Sequence, residues 1–381
     1  MKLAIINHTG GGISGGYKNY LQSILPRLAA DPRVESILCV SPRSIGIEEL
    51  VAPNEKIRLE TCAPFKPLSS GIDAEMEKLL SSYLLDIIFV PTARVAGFRK
   101  VPVVTMIQNM APLVSWEWYG LWQKFKLMVQ RHETRRAVRQ AAKVIAISGF
   151  VRQFLTEKWA VPPGKIESIY FGTPLPAEKA VRPGVLPADW QSFIFTAGSI
   201  EPYRSLEDII KCAEYSRKTL GTPVRIVVAG QAKEDMHQYE RHLKKMAGEA
   251  GLAQDICWAG QISAEEMTWC YKNCSAFVMT SRVEAGPNTV LESMNCGAVC
   301  IAADNAPLPE FYGETALYYK SGDGRMLAAR VSEVLAWDKV KKEKVSAAAY
   351  ARSCGFTWEN SAGKTVDLFE EIFRRFAAGA L

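Results

Sequence analysis

Apolar positions in this chain gather in short blocks, and longer stretches of helical period separate them. "KLAIIN" (2–7) is followed by an amphipathic pattern over 17–30, "YKNYLQSILPRLAA", then by "SILCVS" (36–41), "LDIIFVP" (85–91), "VPVVTMI" (101–107) and "KVIAIS" (143–148). Continuous apolar blocks of this length predict strands buried on both faces, and their alternation with helical patterns predicts a parallel sheet built from α/β units. The rhythm then restarts with "FIFTAGS" (193–199), a helix through "SLEDIIKCAEYSRKTL" (205–220), and the blocks "VRIVVAG", "ICWAG", "AFVMTS" and "AVCIAA". Residues 173–188 hold four prolines and no apolar period, which predicts a linker there. The expected organisation is an N-terminal domain over 1–172, the linker, a second domain over 189–355, and an amphipathic helix over 356–381.

Composition agrees with two cores. A chain of 381 residues with 48% hydrophobic and 23% charged residues is too long for one ordinary core and too apolar for disorder. No apolar run reaches the roughly 18 residues of a spanning helix, and "MKLAIINHTGGG" runs from a strand into glycines, so the expected location is the cytoplasm. The nine cysteines form no C-x-x-C pair, and Cys39, Cys257 and Cys300 lie inside strand-like blocks, so reduced thiols are expected rather than zinc or disulfides. A net charge of +6 without a dedicated nucleic-acid motif points to an anionic ligand or membrane surface rather than to DNA or RNA.

The densest candidate chemistry is "VEAGPNTVLESMNCG" (283–297), in which seven residues separate Glu284 from Glu292. A strand should end near Ser281, Pro287 suits a first helical turn, and Gly297 suits a C-terminal cap. Amides over 286 to 289 would then point toward a ligand with the positive end of the helix dipole, a seat for phosphate. Carboxylates accept hydrogen bonds from hydroxyls, so a ligand with hydroxyls at both ends and a diphosphate between them, a nucleotide sugar, would fit Glu284, Gly286, Pro287, Asn288, Thr289 and Glu292. Taken alone, the spacing is equally met by one Glu favouring the helix dipole and another on a solvated face.

The order of motifs from "WAGQIS" through "EEM", "AFVMTSRVEAGPNTVLESMNCGAVCIAADNAPLPEFYG" resembles the C-terminal half of the retaining GT-B glycosyltransferases of family 4. The resemblance extends over almost the whole chain: Gly15-Gly16 in "GGGISGGYKNYL", Arg204 in "TAGSIEPYRSLEDII", and the closing "FTWENSA" match further family motifs. It implies two Rossmann-like domains facing a cleft; the final amphipathic helix could belong to either by its pattern and is expected to pack back towards the N-terminal one. The nucleotide sugar is then held mainly by the second domain and the acceptor by the first. By the same resemblance, Glu292 meets the ribose, Glu284 the transferred sugar, Arg204 the diphosphate, and Gly16 allows close backbone approach to the phosphate.

Two positions depart from that pattern. Ser199 stands where the family often carries an Arg, and Gln108-Asn109 stand where many members carry a His near the transferred sugar. Amides can hydrogen-bond a sugar but cannot exchange protons near neutral pH. No D-x-D occurs, so neither metal nor other cofactor is expected, and the leaving-group charge falls to Arg204 and helix-terminal amides. The family implies front-face transfer with retention, from a UDP- or GDP-sugar to a glycan or lipid-linked glycan in polysaccharide or lipopolysaccharide synthesis. A nucleotide-sugar epimerase and a catalytically silent sugar-binding subunit are the alternatives.

Three weaker signals complete the reading. "WEWYGLWQKFKLMVQRHETRRAVRQAAK" (116–143) places aromatics ahead of Lys124, Lys126, Arg131, Arg135, Arg136, Arg139 and Lys143. That pattern suits peripheral contact with an anionic membrane on its inner face, or a helix with a solvated basic side and its aromatics in the core. His8 ends the first strand, where it could meet an acceptor or cap a loop. Glu310 reads first as loop structure.

Overall fold

The computed structural model describes residues 1–9, 15–114, 117, 119–221 and 223–379. The chain folds as two compact units, residues 1–172 with 357–381, and residues 173–356.

The first unit carries a seven-stranded parallel sheet: β1 (Lys2–Ile6), β2 (Ser36–Pro42), β3 (Ile57–Cys62), β4 (Ile87–Val90), β5 (Val103–Ile107), β6 (Lys143–Ala146) and β7 (Ile166–Ser168). Its order is β3-β2-β1-β4-β5-β6-β7. The central blocks read by pattern are buried on both faces, as β4 and β6 show with every residue buried. Strands β3 and β7 lie at the edges, where one open side tolerates a polar sequence such as "IRLETC". That is why no apolar block announced them. The final helix Trp358–Ala377, capped by Thr357, packs on helix Gly15–Ala30 and is tied to it by Arg27–Glu359 at 2.8 Å. Tyr20, Phe171 and Trp358 share one aromatic cluster there.

The second unit has a six-stranded parallel sheet: β8 (Ile194–Ala197), β9 (Ile226–Ala229), β10 (Ile256–Gly260), β11 (Ala276–Met279), β12 (Cys300–Ala303) and β13 (Ala316–Tyr319). The order is β10-β9-β8-β11-β12-β13, the doubly wound arrangement of the first unit repeated. Residues 173–188 form neither strand nor helix. All nine cysteines are free thiols. Two parallel α/β sheets of this topology make a GT-B fold.

Candidate functional site

In each unit the strand order reverses beside the first strand, between β1 and β4 and between β8 and β11. Open α/β sheets receive ligands outside the carboxyl ends of strands at such a switch point. In the second unit the chain leaves β8 through Gly198, whose φ of +137° few L residues adopt, and a Cβ there would lie 2.7 Å from Cζ of Arg204. Glycine is therefore what lets the guanidinium lie across the strand end. The short turn Pro202–Arg204 is tied to the loop after β11: Thr280 donates its hydroxyl to the Arg204 carbonyl, and the Arg282 N–H donates to the Tyr203 carbonyl at 2.8 Å.

Arg204 Nη1 stands 3.2 Å from Glu284 Oε1, with side chains 16% and 11% exposed. Neither Arg204 Nε nor Glu284 Oε1 has a hydrogen-bond partner among the described residues, so the contact is a close charge pair with hydrogen-bonding capacity left over. Burial disfavours the guanidinium charge, yet Glu284, then Tyr203 and Glu201, outweigh it and raise the Arg204 pKa above its ordinary value. Ser199 does not supply a second charge, and the Tyr203 ring lies 5.4 Å from Arg204 Cζ. Buried Glu201 pairs with Lys233 at 3.2 Å.

The helix Asn288–Asn295 begins behind Glu284 with Pro287 at its N-cap and no side chain capping it. Proline has no N–H, so the amide seat expected over 286 to 289 has three possible donors, Gly286, Asn288 and Thr289. Gly297, at φ +70°, ends the helix: its N–H reaches the Met294 carbonyl at 3.0 Å and the Ala298 N–H reaches Ser293 at 2.9 Å, a Schellman motif. One turn inside the helix, Glu292 accepts from the Tyr271 phenol at 3.0 Å. Burial raises the Glu292 pKa, and the tyrosine hydrogen bond opposes that rise. Thr289 Oγ1 approaches Met279 Sδ at 3.8 Å and Arg204 Nη1 approaches the same sulfur at 4.0 Å. One methionine thus gathers the arginine, the strand end and the helix start.

The remaining candidates lie in the first unit. His8 is 3% exposed, and neither ring nitrogen has a partner among the described residues. Burial, with Arg94 adding to it and Asp73 opposing, lowers its pKa from 6.5 to about 4, so the ring is neutral near pH 7. Gln108 donates to Met106 Sδ at 3.3 Å, and exposed Asn109 accepts from the Ala111 N–H at 3.0 Å, a local turn. Gly15 and Gly16 open the helix Gly15–Ala30, and a Cβ on Gly15 would meet open space. The glycines of 10–14 lie outside the described residues, as do Trp116 and Trp118.

The basic stretch forms helix Leu121–Gln140. Lys143 is not on it; this residue opens β6, buried, and pairs with Glu371 at 3.4 Å. Arg136 is likewise drawn inward, to Glu133 at 2.9 Å. Tyr119 is buried, whereas Leu121, Trp122, Phe125 and Met128 are 88%, 64%, 52% and 49% exposed. Glu310 sits in the short helix Leu308–Tyr312, and its carbonyl accepts from Arg352 at 2.8 Å. Among the described residues, no group of three His, Cys, Asp or Glu could hold a metal, and no helix is long and apolar enough to cross a membrane.

Two partners escaped the sequence reading. Tyr271 occupies a helix face that reads as core, and Arg94 follows β4 as one charge among many. The strand-end position of Arg94 was the available signal.

The site's elements coincide with two known family models: Glycosyl transferases group 1 matches residues 179–352, and Glycosyltransferase Family 4 matches residues 14–175. The chain belongs to these glycosyltransferases. Over 183 residues this family member is 26% identical to the serotype-specific mannosyltransferase WbdA of Escherichia coli, covering 48% of this chain and 22% of that protein. It is 23% identical over 186 residues to the D-inositol 3-phosphate glycosyltransferase of Stackebrandtia nassauensis, covering 48% of this chain and 42% of that one. The chain therefore spans less than half the length of these curated relatives. Among solved structures it resembles Anabaena HepE in complex with UDP, at 17% identity and TM-score 0.71 over 97% of this chain and 100% of that one. It also resembles sucrose-phosphate synthase of Thermosynechococcus elongatus, at 18% identity and TM-score 0.76 over 98% and 99%.

Proposed function

We propose that the protein transfers a hexose from a UDP- or GDP-sugar to a glycan or lipid-linked glycan acceptor, with retention and without a metal, in polysaccharide or lipopolysaccharide synthesis. The observation that carries this reading is the placement of Arg204, Glu284 and the N-terminus of helix Asn288–Asn295 around Met279, with Glu292 one turn deeper. In this reading Arg204 and the helix-terminal amides hold the diphosphate, Glu284 accepts from hydroxyls of the hexose, and Glu292, oriented by Tyr271, accepts from the ribose. The bond from the anomeric carbon to the β-phosphate oxygen breaks while the acceptor oxygen bonds to that carbon on the same face. The acceptor proton passes to the departing phosphate, and the nucleoside diphosphate leaves. Preorganised charge at the leaving group is the dominant contribution expected of such a site.

A hexose donor is also supported by the relatives: mannosyl transfer is in the name of the E. coli protein, and Anabaena HepE has been crystallised with UDP-glucose. Helix Leu121–Gln140 supports the lipid-linked acceptor, because its exposed Leu121, Trp122, Phe125 and Met128 lie beside Lys124, Lys126, Arg131, Arg135 and Arg139. Apolar groups of that kind enter the headgroup region of a bilayer while cations meet anionic lipid.

The test is a thermal-shift panel of UDP, GDP and ADP with the wild type and Glu292→Gln. One base should raise the wild-type melting temperature, and the variant should bind it about tenfold or more weaker, the effect of losing a charged hydrogen bond. Equal binding by the variant would remove Glu292 from the site. Release of UDP or GDP from a donor panel then marks a transferase, whereas sugar interconversion without release marks an epimerase.

A further inference from the structure

At the switch point of the first unit, several buried polar atoms have no protein partner. Both ring nitrogens of His8, the Thr9 hydroxyl beside it and the Thr92 hydroxyl after β4 are buried and unpaired among the described residues. Two residues beyond Thr92 stands Arg94, half-buried, with a 3.5 Å contact to the Ala93 carbonyl and the Phe65 ring 5.7 Å from its Cζ. Phe65 also lies 5.2 Å from the His8 ring, so one aromatic side chain backs both groups. Gly71 completes the wall: a Cβ there would lie 3.4 Å from His8 Nε2 and 1.8 Å from the Val95 carbonyl.

Two carboxylates lie nearby, each with an oxygen already committed, while Glu133 Oε2 is buried without a hydrogen-bond partner among the described residues. Asp73 caps its helix through the Met76 N–H at 2.8 Å, and Glu133 accepts from Leu68 N and Arg136 Nη1 at 3.2 and 2.9 Å. Among the described residues Arg94 meets no carboxylate within ion-pair distance, and burial lowers its pKa with Glu133 opposing. A buried polar group left unpaired keeps its full desolvation penalty, so a cluster of them at a ligand-receiving strand end calls for a ligand.

We propose that His8, Thr92 and Arg94 form a subsite for a sugar carrying an acidic substituent, a carboxylate or a phosphate ester. A neutral imidazole offers one donor and one acceptor, the complement of a hydroxyl that both gives and takes. A guanidinium offers only donors, in a fork that fits a carboxylate or phosphate. The subsite rests on the transferase reading only in making that sugar the acceptor, and nothing is oxidised, reduced or bonded covalently there.

Calorimetric titration of the full chain with glucuronate, glucose 6-phosphate and glucose, with and without UDP or GDP, tests it. At least one acidic sugar should bind about tenfold or more tighter than glucose, the two acids separating the carboxylate from the phosphate source. Arg94→Gln should abolish that preference without changing nucleotide binding. Arg94→Lys, the fallback should the first variant unfold, should retain part of the preference, and His8→Asn should weaken all three sugars alike. Equal binding of the three sugars by the wild type, or a preference intact in Arg94→Gln, overturns the subsite. Acid-sugar preference without nucleotide binding would instead overturn the transferase reading alone.

Discussion

The two switch points of this protein hold their polar groups differently. In the second unit Arg204 faces Glu284, Glu292 faces Tyr271, and Lys233 faces Glu201. In the first unit, among the described residues, the His8 ring and the Thr9 and Thr92 hydroxyls have no hydrogen-bond partner, and Arg94 feels the Glu133 charge without an ion-pair contact. In the proposed transferase reading, groups fixed by neighbours would need little reorganisation to meet the charge of a diphosphate. Unpaired buried groups are held by the surrounding fold, and in the proposed subsite they would gain their hydrogen bonds from the ligand. One switch point thus sets charged groups against each other, with Arg204 Nε and Glu284 Oε1 still unpartnered, whereas the other leaves a neutral imidazole and two hydroxyls without any partner among the described residues.

The largest break in that contrast is expected from Arg204→Ala. It leaves Glu284 buried without its cation, which costs about 3–5 kcal/mol of stability. Transfer should fall roughly 100- to 1000-fold, as when a main charge-stabilising group is lost. Chemical denaturation and nucleotide release measure the two effects; a loss no greater than that from a surface substitution would show the second unit to be unorganised.

The first unit should reveal itself through acid. Unfolded His8 titrates near 6.5 and folded His8 near 4, so between those values the unfolded chain binds the proton first. The stability due to neutral His8 is complete above pH 6.5 and is lost as pH falls toward 4, on the order of 3 kcal/mol in all. Arg94 adds to this depression and Asp73 reduces it, each less than burial does. In His8→Asn the unfolding midpoint should depend less steeply on pH across that window; an unchanged slope would mean that the ring is not buried neutral.

The smallest effect on stability belongs to Trp122→Ala with Phe125→Ala. These exposed side chains should change stability by no more than about 0.5 kcal/mol. Co-sedimentation with vesicles containing anionic lipid should nevertheless weaken about tenfold. Unaltered sedimentation would leave the lipid-linked acceptor without its surface.

The pattern of the chain foretold ten strands of the two sheets and the helix Asn288–Asn295, because their apolar blocks and the glycine cap are local signals. Edge strands β3, β7 and β13 were not legible: an edge is defined by what fails to pair with it, and residues such as Arg58 and Glu60 in β3 are compatible with one open side. Within the site, Glu284, Glu292 and Arg204 could be named from motif order. Tyr271 and Arg94 could not, because each acquires its meaning from a residue far along the chain.

By itself the sequence determined the family, the parallel α/β class, the helix start between two carboxylates and the substitutions Ser199 and Gln108-Asn109. Only the tertiary structure decided that Arg204 and Glu284 form a pair, that Glu292 is held by Tyr271, that Lys143 leaves the basic helix for a strand, and that the His8 ring is buried beside Phe65. Strand and cap signals act over a few residues, whereas pairing, burial and charge depend on which distant side chains the sheets bring to the same end.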